Sequence, residues 1–318
     1  MPDATPSPRA PRLAIETRNL RKEFGTQVAV RNLTLSVREG EIFGFLGPNG
    51  AGKSTSIKML LGIVRPTAGE GTVFGAPIGD VAVRRHIGFL PEDFRFYEWL
   101  TALELLELHG RLAGMTTPSA RARAPEVLEL VGIAAHARRR LRGFSKGMLQ
   151  RLGLAQALIH EPRILFLDEP TSGLDPMGRR LVRDIIRAQR DRGVTVFLNS
   201  HLLSEIEVTC DRVAFISNGE IVASRDLTAS ENGSARRIRI RARNMTAAML
   251  DNLSAYMTTP IQPESRTDEY TFDISAEDVL PEIIRRLTLS GADLFQVSPE
   301  PTSLEDTFMR LVGEDRGL

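Results

Sequence analysis

Two stretches near the start of the chain, Leu13–Phe24 and Gln27–Val37, alternate short apolar and polar runs. This pattern predicts two antiparallel strands with Gly25 in the turn between them. Ile42–Leu46 is then apolar without alternation and runs into a glycine-rich segment, beyond which Ile57, Leu60, Leu61 and Val64 recur at helical spacing. A buried strand, a loop and a helix are expected in that order. From Leu100 to Leu158 the pattern is helical, opened by Thr101 and Glu104 at capping-box spacing, and the arginines of RARA and RRRLR read as a solvated helical face. Ile164–Leu167 is another uninterrupted apolar run, a helix follows from about Pro176, and Val194–Leu198 repeats the apolar run. Such runs suit strands covered on both faces, and their alternation with helices predicts a parallel sheet.

The pattern changes at residues 226–235, DLTASENGSA, which read as a linker. Beyond it RRIRIRA, DEYTFDI and Ala292–Val297 alternate as strands, while Thr246–Tyr256, Ala276–Leu289 and Leu304–Leu311 have helical patterns. A small α+β domain over residues 236–318 is expected, large enough for its own core. Residues 1–12 are Pro-rich, lack an apolar signal core and read as a disordered tail.

Composition narrows the function. Of 318 residues, 41 are Lys or Arg and 40 are Asp or Glu, a formal net charge of +1. That balance speaks against a chain that holds nucleic acid by phosphate neutralisation alone. No apolar run approaches the ~18 residues needed to cross a bilayer. Cys210 is the one cysteine, so neither an internal disulfide nor a cysteine metal cluster is available. The expectation is a soluble protein of a reducing compartment, with no membrane anchor of its own.

Gly47-Pro48-Asn49-Gly50-Ala51-Gly52-Lys53-Ser54 fits G-x-x-x-x-G-K-[ST] between an expected strand and an expected helix. Glycines let backbone N–H groups converge on phosphate oxygens, and the helix adds its positive end. Lys53 is expected to reach the β- and γ-phosphates, Ser54 to offer its hydroxyl to Mg²⁺, and Thr55 to add a phosphate contact. The run Ile164–Leu167 ends in Asp168 and Glu169. A buried parallel strand delivers such carboxylates at its C-terminal end, beside the phosphate loop. Asp168 is expected to hold Mg²⁺, directly or through water, and Glu169 to orient and deprotonate the water that attacks the γ-phosphate.

Further residues resemble the nucleotide-binding subunit of ABC transporters. Phe144-Ser145-Lys146-Gly147-Met148-Leu149-Gln150-Arg151 looks like the family signature, usually written L-S-G-G-Q, with Lys146 and Met148 departing from it, and opens the expected amphipathic helix LQRLGLAQALI. Ser172-Gly173-Leu174-Asp175 resembles the loop that lines the family's dimer seam. His201 resembles its switch histidine, whereas His86, His109, His136 and His160 read as structural. Phe24 resembles the aromatic that stacks on adenine; the alternative is a strand aromatic in a small core. Ile87-Gly88-Phe89-Leu90-Pro91-Glu92 resembles the loop that normally ends in Gln, so Glu92 is either a metal ligand or chiefly a coupling residue.

The resemblance implies an α/β fold: a P-loop NTPase of ABC type over residues 13–225. It would contain a mixed central sheet, an antiparallel β subdomain and an α-helical subdomain at about 93–160, followed by the small C-terminal domain. It further implies ATP and Mg²⁺ as cofactors, with Lys53, Glu169 and His201 catalytic. A homodimer is implied in which Ser145 and Gly147 of one copy grip ATP held by the other. Export would run through a separate integral-membrane permease, with the chain cytoplasmic, peripheral to the membrane and not inserted into it. Phe96, Tyr97 and Trp99 either face that permease or pack the helical core. Ser303–Phe308 and Leu311-Val312-Gly313 resemble the ending of ATPases from two-component drug, antibiotic, lipid or polysaccharide exporters. The C-terminal domain could sense a ligand, support the dimer or regulate hydrolysis. The competing reading is a soluble ABC ATPase that remodels ribosomes or DNA; a small-molecule P-loop kinase would lack the Ser145, Asp175 and His201 set.

Overall fold

A computed structural model describes residues 12–228, 236–257, 262–263, 268–274, 277–300, 304–305 and 308. The expected N-terminal tail up to residue 11, residues 229–235 of the expected linker and most of the last expected helix lie outside the described residues. The chain divides after Thr228 into two units.

In the first unit, the alternating stretches form β1 (Leu13–Phe24) and β2 (Gln27–Arg38), paired antiparallel around Gly25 at φ +58. β3 (Ile42–Leu46) leads through the glycine-rich loop into α1 (Lys53–Leu60). That helix stops short of the expected Val64. β4 (Ala68–Val73), β5 (Ala76–Pro77), α2 (Val81–Arg84) and β6 (Ile87–Leu90) follow. Then come α3 (Ala102–Leu112), α4 (Thr117–Leu130), α5 (Lys146–Leu158), β7 (Ile164–Asp168), α6 (Pro176–Asp191), β8 (Thr195–Asn199), α7 (Leu203–Thr209), β9 (Arg212–Ser217) and β10 (Glu220–Asp226). One sheet holds all ten strands in the order β5-β4-β1-β2-β10-β9-β3-β8-β7-β6.

The half from β9 to β6 is parallel, and the half from β5 to β2 antiparallel. Every residue of β3, β7 and β8 is buried, which explains why these segments carry no polar alternation. Phe197 of β8 joins the three strands, its ring 5.2–5.6 Å from those of Phe45, Phe166 and Phe43. The register sets Asp168 opposite Asn199 at one sheet edge, the edge where β3 gives way to the glycine loop. Side chains for chemistry therefore gather where the parallel strands end.

The helical insertion departs from expectation in two places. The RRRLR stretch is not helical: Arg140 forms an antiparallel bridge with Thr101, and Leu141–Gly143 is a single 3₁₀ turn. The bridge holds Arg140 extended and interrupts any helix there, although the arginines are solvent-exposed as expected. The helix after the signature is not amphipathic. Seven residues of α5 from Gln150 to Leu158 are buried, because α3, α4 and β6 pack around it. Thr101 and Glu104 do form the capping box of α3.

In the second unit, β11 (Arg236–Arg243), β12 (Gln262–Pro263), β13 (Glu269–Ile274) and β14 (Asp293–Glu300) form an antiparallel sheet ordered β12-β13-β11-β14. Ile238, Ile240 and Ala242 alternate onto one face and join Leu253, Phe272, Ile274, Ile283 and Leu287 in a separate core. α8 (Ala247–Asp251) and α9 (Leu280–Leu289) occupy the expected helical segments, shorter than the pattern suggested.

Candidate functional site

The glycine loop owes its path to two close approaches. A Cβ at Gly47 would stand 2.2 Å from the main-chain oxygen of Ile216. Gly52 adopts φ +101, and its Cβ would stand 2.5 Å from the oxygen of Ala29. Only glycine fits either place. No side chain caps α1 at Gly52, so the N–H groups of its first turn are left for a ligand. Lys53 Nζ donates to the main-chain oxygens of Gly47 at 2.7 Å and Pro48 at 3.0 Å. Partial burial holds the ammonium below the usual lysine range, and the carboxylates of Glu169, Asp168 and Glu92 oppose that shift.

A cavity of about 620 Å³ opens over this loop. Asn49, Gly50, Gly52, Lys53, Ser54 and Thr55 line its floor, Gln27, Val28 and Ala29 come from the β1–β2 hairpin, and Glu92, Glu169, Asn199 and His201 close it. Gly47 and Pro48 act through the carbonyls that hold Lys53, and Ala51 is buried beneath the loop. Phe24 stands at the end of β1, half exposed with the Lys22 ammonium 4.8 Å from its ring centre. It joins no buried core among the described residues, which speaks against the reading of a strand aromatic in a small core.

Asp168 ends β7 and is buried, and Asn199 Nδ2 donates to its Oδ1 at 2.5 Å. Burial raises the Asp168 carboxyl above the usual carboxylate range, against the opposing Asn199 hydrogen bond and Lys53 charge. Glu92 is raised too, first by desolvation and then by the negative charges of Asp168, Glu169 and Asp93. Glu169 is 6% exposed and sits at φ +55, a left-handed conformation unusual for a residue with a side chain. Its Oε1 accepts from the His201 N–H at 2.8 Å. His201 Nδ1 lies 2.8 Å from Oε2, off the line a hydrogen bond needs, so Oε2 is buried without a hydrogen-bond partner among the described residues. Asn199 Oδ1 and Thr171 Oγ1 are buried and unpaired in the same way. Polar atoms like these are set aside for a ligand or water.

The signature residues lie elsewhere. Ser145 caps α5 by accepting from Met148 N–H at 3.3 Å, and Asp175 caps α6 by accepting from Gly178 N–H at 2.7 Å. With Gly147 they line a second cavity, of about 680 Å³, that shares no described lining residue with the first. Beyond Glu92, Phe94 and Phe96 pack together while the rings of Tyr97 and Trp99 lie tilted against each other at 5.1 Å and are 54% and 67% exposed. Tyr97 and Trp99 thus face solvent and do not fill the helical core.

Two site residues escaped the sequence reading. Asn199 was visible as the one amide closing an apolar strand. Gln150, whose Nε2 donates to the main-chain oxygen of Glu169 at 3.0 Å, falls within the signature-like stretch, which marks the segment and not this pairing.

The family model for ABC transporters matches residues 30–172. An uncharacterised ABC transporter ATP-binding protein of Nostoc sp. is 47% identical over 67% of this chain and 66% of its own length. The Nod factor export ATP-binding protein I of Rhizobium sp. is 36% identical, covering 96% of this chain and 98% of that one. The linearmycin resistance ATP-binding protein LnrL of Bacillus subtilis is 34% identical over 94% and 98%. Among solved structures, the dimeric post-hydrolysis state of the ATP-binding cassette MJ0796 with ADP and Pi superposes with a TM-score of 0.63. It is 27% identical and covers 68% of this chain and 99% of that one.

Proposed function

Because the chain belongs to the ABC transporter ATP-binding proteins, a family of ATPases, we propose that two copies of it close head to tail around two ATP molecules and so drive export through a separate membrane permease. The observation that carries this reading is the division of the site. The phosphate cavity holds Lys53, Glu169 and His201, and the signature cavity holds Ser145, Gly147 and Asp175, with no described residue in common. Two copies facing each other bring the halves together and bury both seams. Export follows from the relatives named for export and resistance. Among the described residues no helix is long and apolar enough to cross a membrane, so the path through the bilayer is assigned to a partner. The chain then works at the inner face of the cell membrane. No observation favours ribosome or DNA remodelling instead.

Within one site the roles follow from placement. The free N–H groups at the start of α1 and the Lys53 ammonium receive the β- and γ-phosphates, with Thr55 beside them, and Phe24 stacks on the adenine. The donor set fits Mg²⁺, a hard cation that is held by one or two carboxylates together with substrate phosphates. Ser54 and Asp168 would hold it, with Glu92 as a further oxygen, and it would neutralise phosphate charge. Glu169 Oε2, buried and without a hydrogen-bond partner among the described residues, accepts the proton of the attacking water, while His201 holds the carboxylate and faces the γ-phosphate. Ser145 and Gly147 grip the γ-phosphate of the partner's ATP. Hydrolysis removes that contact and the dimer opens, a shift driven by differential binding.

Sedimentation of the Glu169→Gln variant with and without ATP tests the closure: a dimer that needs ATP is expected, and a monomer in both conditions contradicts it. The adjoining rings of Tyr97 and Trp99, a few residues beyond Glu92, supply the surface for the permease. Trp99→Ala should leave basal ATPase and the melting temperature within error while transport with the permease falls severalfold, since an exposed aromatic contributes little to folding but much to an interface. Transport assays beside ATPase assays on the same preparation check this.

A further inference from the structure

Gln150 lines neither cavity, yet it is only 4% exposed and its Nε2 donates to the main-chain oxygen of Glu169 at 3.0 Å. Glu169 at φ +55 needs restraint, because the left-handed region is costly for a residue with a Cβ. Three hydrogen bonds to the main chain of Glu169 supply it. Glu169 N–H donates to Asn199 O at 2.9 Å, Ser172 N–H donates to Glu169 O at 3.1 Å, and Gln150 completes the set. The first two come from the adjoining strand and the following turn. The third comes from α5, the helix that Ser145 caps. Gln150 lies five residues after Ser145, about 7.5 Å along the helix axis. α5 is buried on most sides, so it moves as a body and not by fraying.

We propose that Gln150 is a positioning residue that ties the general base of one ATP site to the signature helix serving the other. The proposal rests on the two-copy reading above, in which Ser145 meets the partner's ATP and Glu169 meets the chain's own. When the partner's γ-phosphate draws in the start of α5, Gln150 carries that displacement to the Glu169 carbonyl, one bond from the Cα that aims the carboxylate. ATP in one site thereby sets the base in the other, which makes hydrolysis cooperative.

Gln150→Met keeps the volume and removes the donor; Gln150→Asn keeps the amide but shortens it by one carbon. Both variants should bind ATP with wild-type affinity. Each should lose about tenfold in kcat, the rate equivalent of one lost hydrogen bond. The Hill coefficient for hydrolysis should fall from a value approaching 2 in the wild type toward about 1, as two sites become independent. Either variant with wild-type kcat and Hill coefficient overturns the proposal. So does loss of ATP affinity along with activity in both variants, which marks the bond as purely structural. A Glu169→Gln chain that stays monomeric with ATP overturns the two-copy reading and this proposal together, whereas a dimer with unchanged Gln150 variants overturns the bridge alone.

Discussion

Lys53→Ala is expected to weaken ATP binding by at least about a hundredfold, the scale of removing one charged partner from a desolvated pair. Lys53 Nζ spans the loop through the carbonyls of Gly47 and Pro48, at 2.7 and 3.0 Å. The substitution therefore removes both the cation that meets the phosphates and the brace that shapes their cradle. It also leaves Asp168, Glu169 and Glu92 facing the triphosphate with less compensation, because the Lys53 charge restrains the upward shift of Glu92 and, beside the Asn199 hydrogen bond and the Lys58 charge, that of Asp168. Nucleotide titration by calorimetry measures the loss. Unchanged affinity would remove Lys53 from the site.

Glu169→Gln should behave in the opposite way, keeping ATP affinity while kcat falls by about 10²–10⁴, the usual contribution of a general base. The amide preserves the volume and the bond from His201 N–H, because its oxygen still accepts. What it cannot do is take a proton at the buried position of Oε2. The left-handed backbone at this residue survives, since the Asn199 and Gln150 bonds that hold it meet only main-chain atoms of residue 169. Single-turnover hydrolysis with pre-bound ATP separates the two effects. A variant with near-normal turnover would mean that another group activates the water.

The central sheet and the phosphate loop were legible because each obeys a local rule. β3, β7 and β8 carry unbroken apolar runs since both their faces are covered, and a polar group at the end of such a run marks the sheet edge where chemistry gathers. The loop is legible because Gly47 and Gly52 fit contacts that no other residue tolerates. What failed was whatever depends on partners distant in sequence. The helix α5 looked amphipathic, but three neighbours bury it. The RRRLR stretch has a helical pattern, but Arg140 pairs with Thr101 thirty-nine residues earlier. Gln150 acquires its meaning only from a carbonyl on another element, and periodicity cannot reveal that pairing. For Phe24 the sequence left two readings, and its exposure speaks against the core one.

The composite site is the centre of this account, and mixing two dead variants tests it most directly. Lys53→Ala lacks the phosphate grip but keeps its signature; Ser145→Arg keeps the grip but blocks the signature. Each alone should be inactive. Mixed in equal amounts, the Ser145→Arg copy supplies Lys53 and Glu169 while the Lys53→Ala copy supplies Ser145 and Gly147, so one intact site forms in each mixed pair. ATPase activity of the mixture should rise well above that of either variant alone. A mixture as inactive as its parts would contradict the shared site.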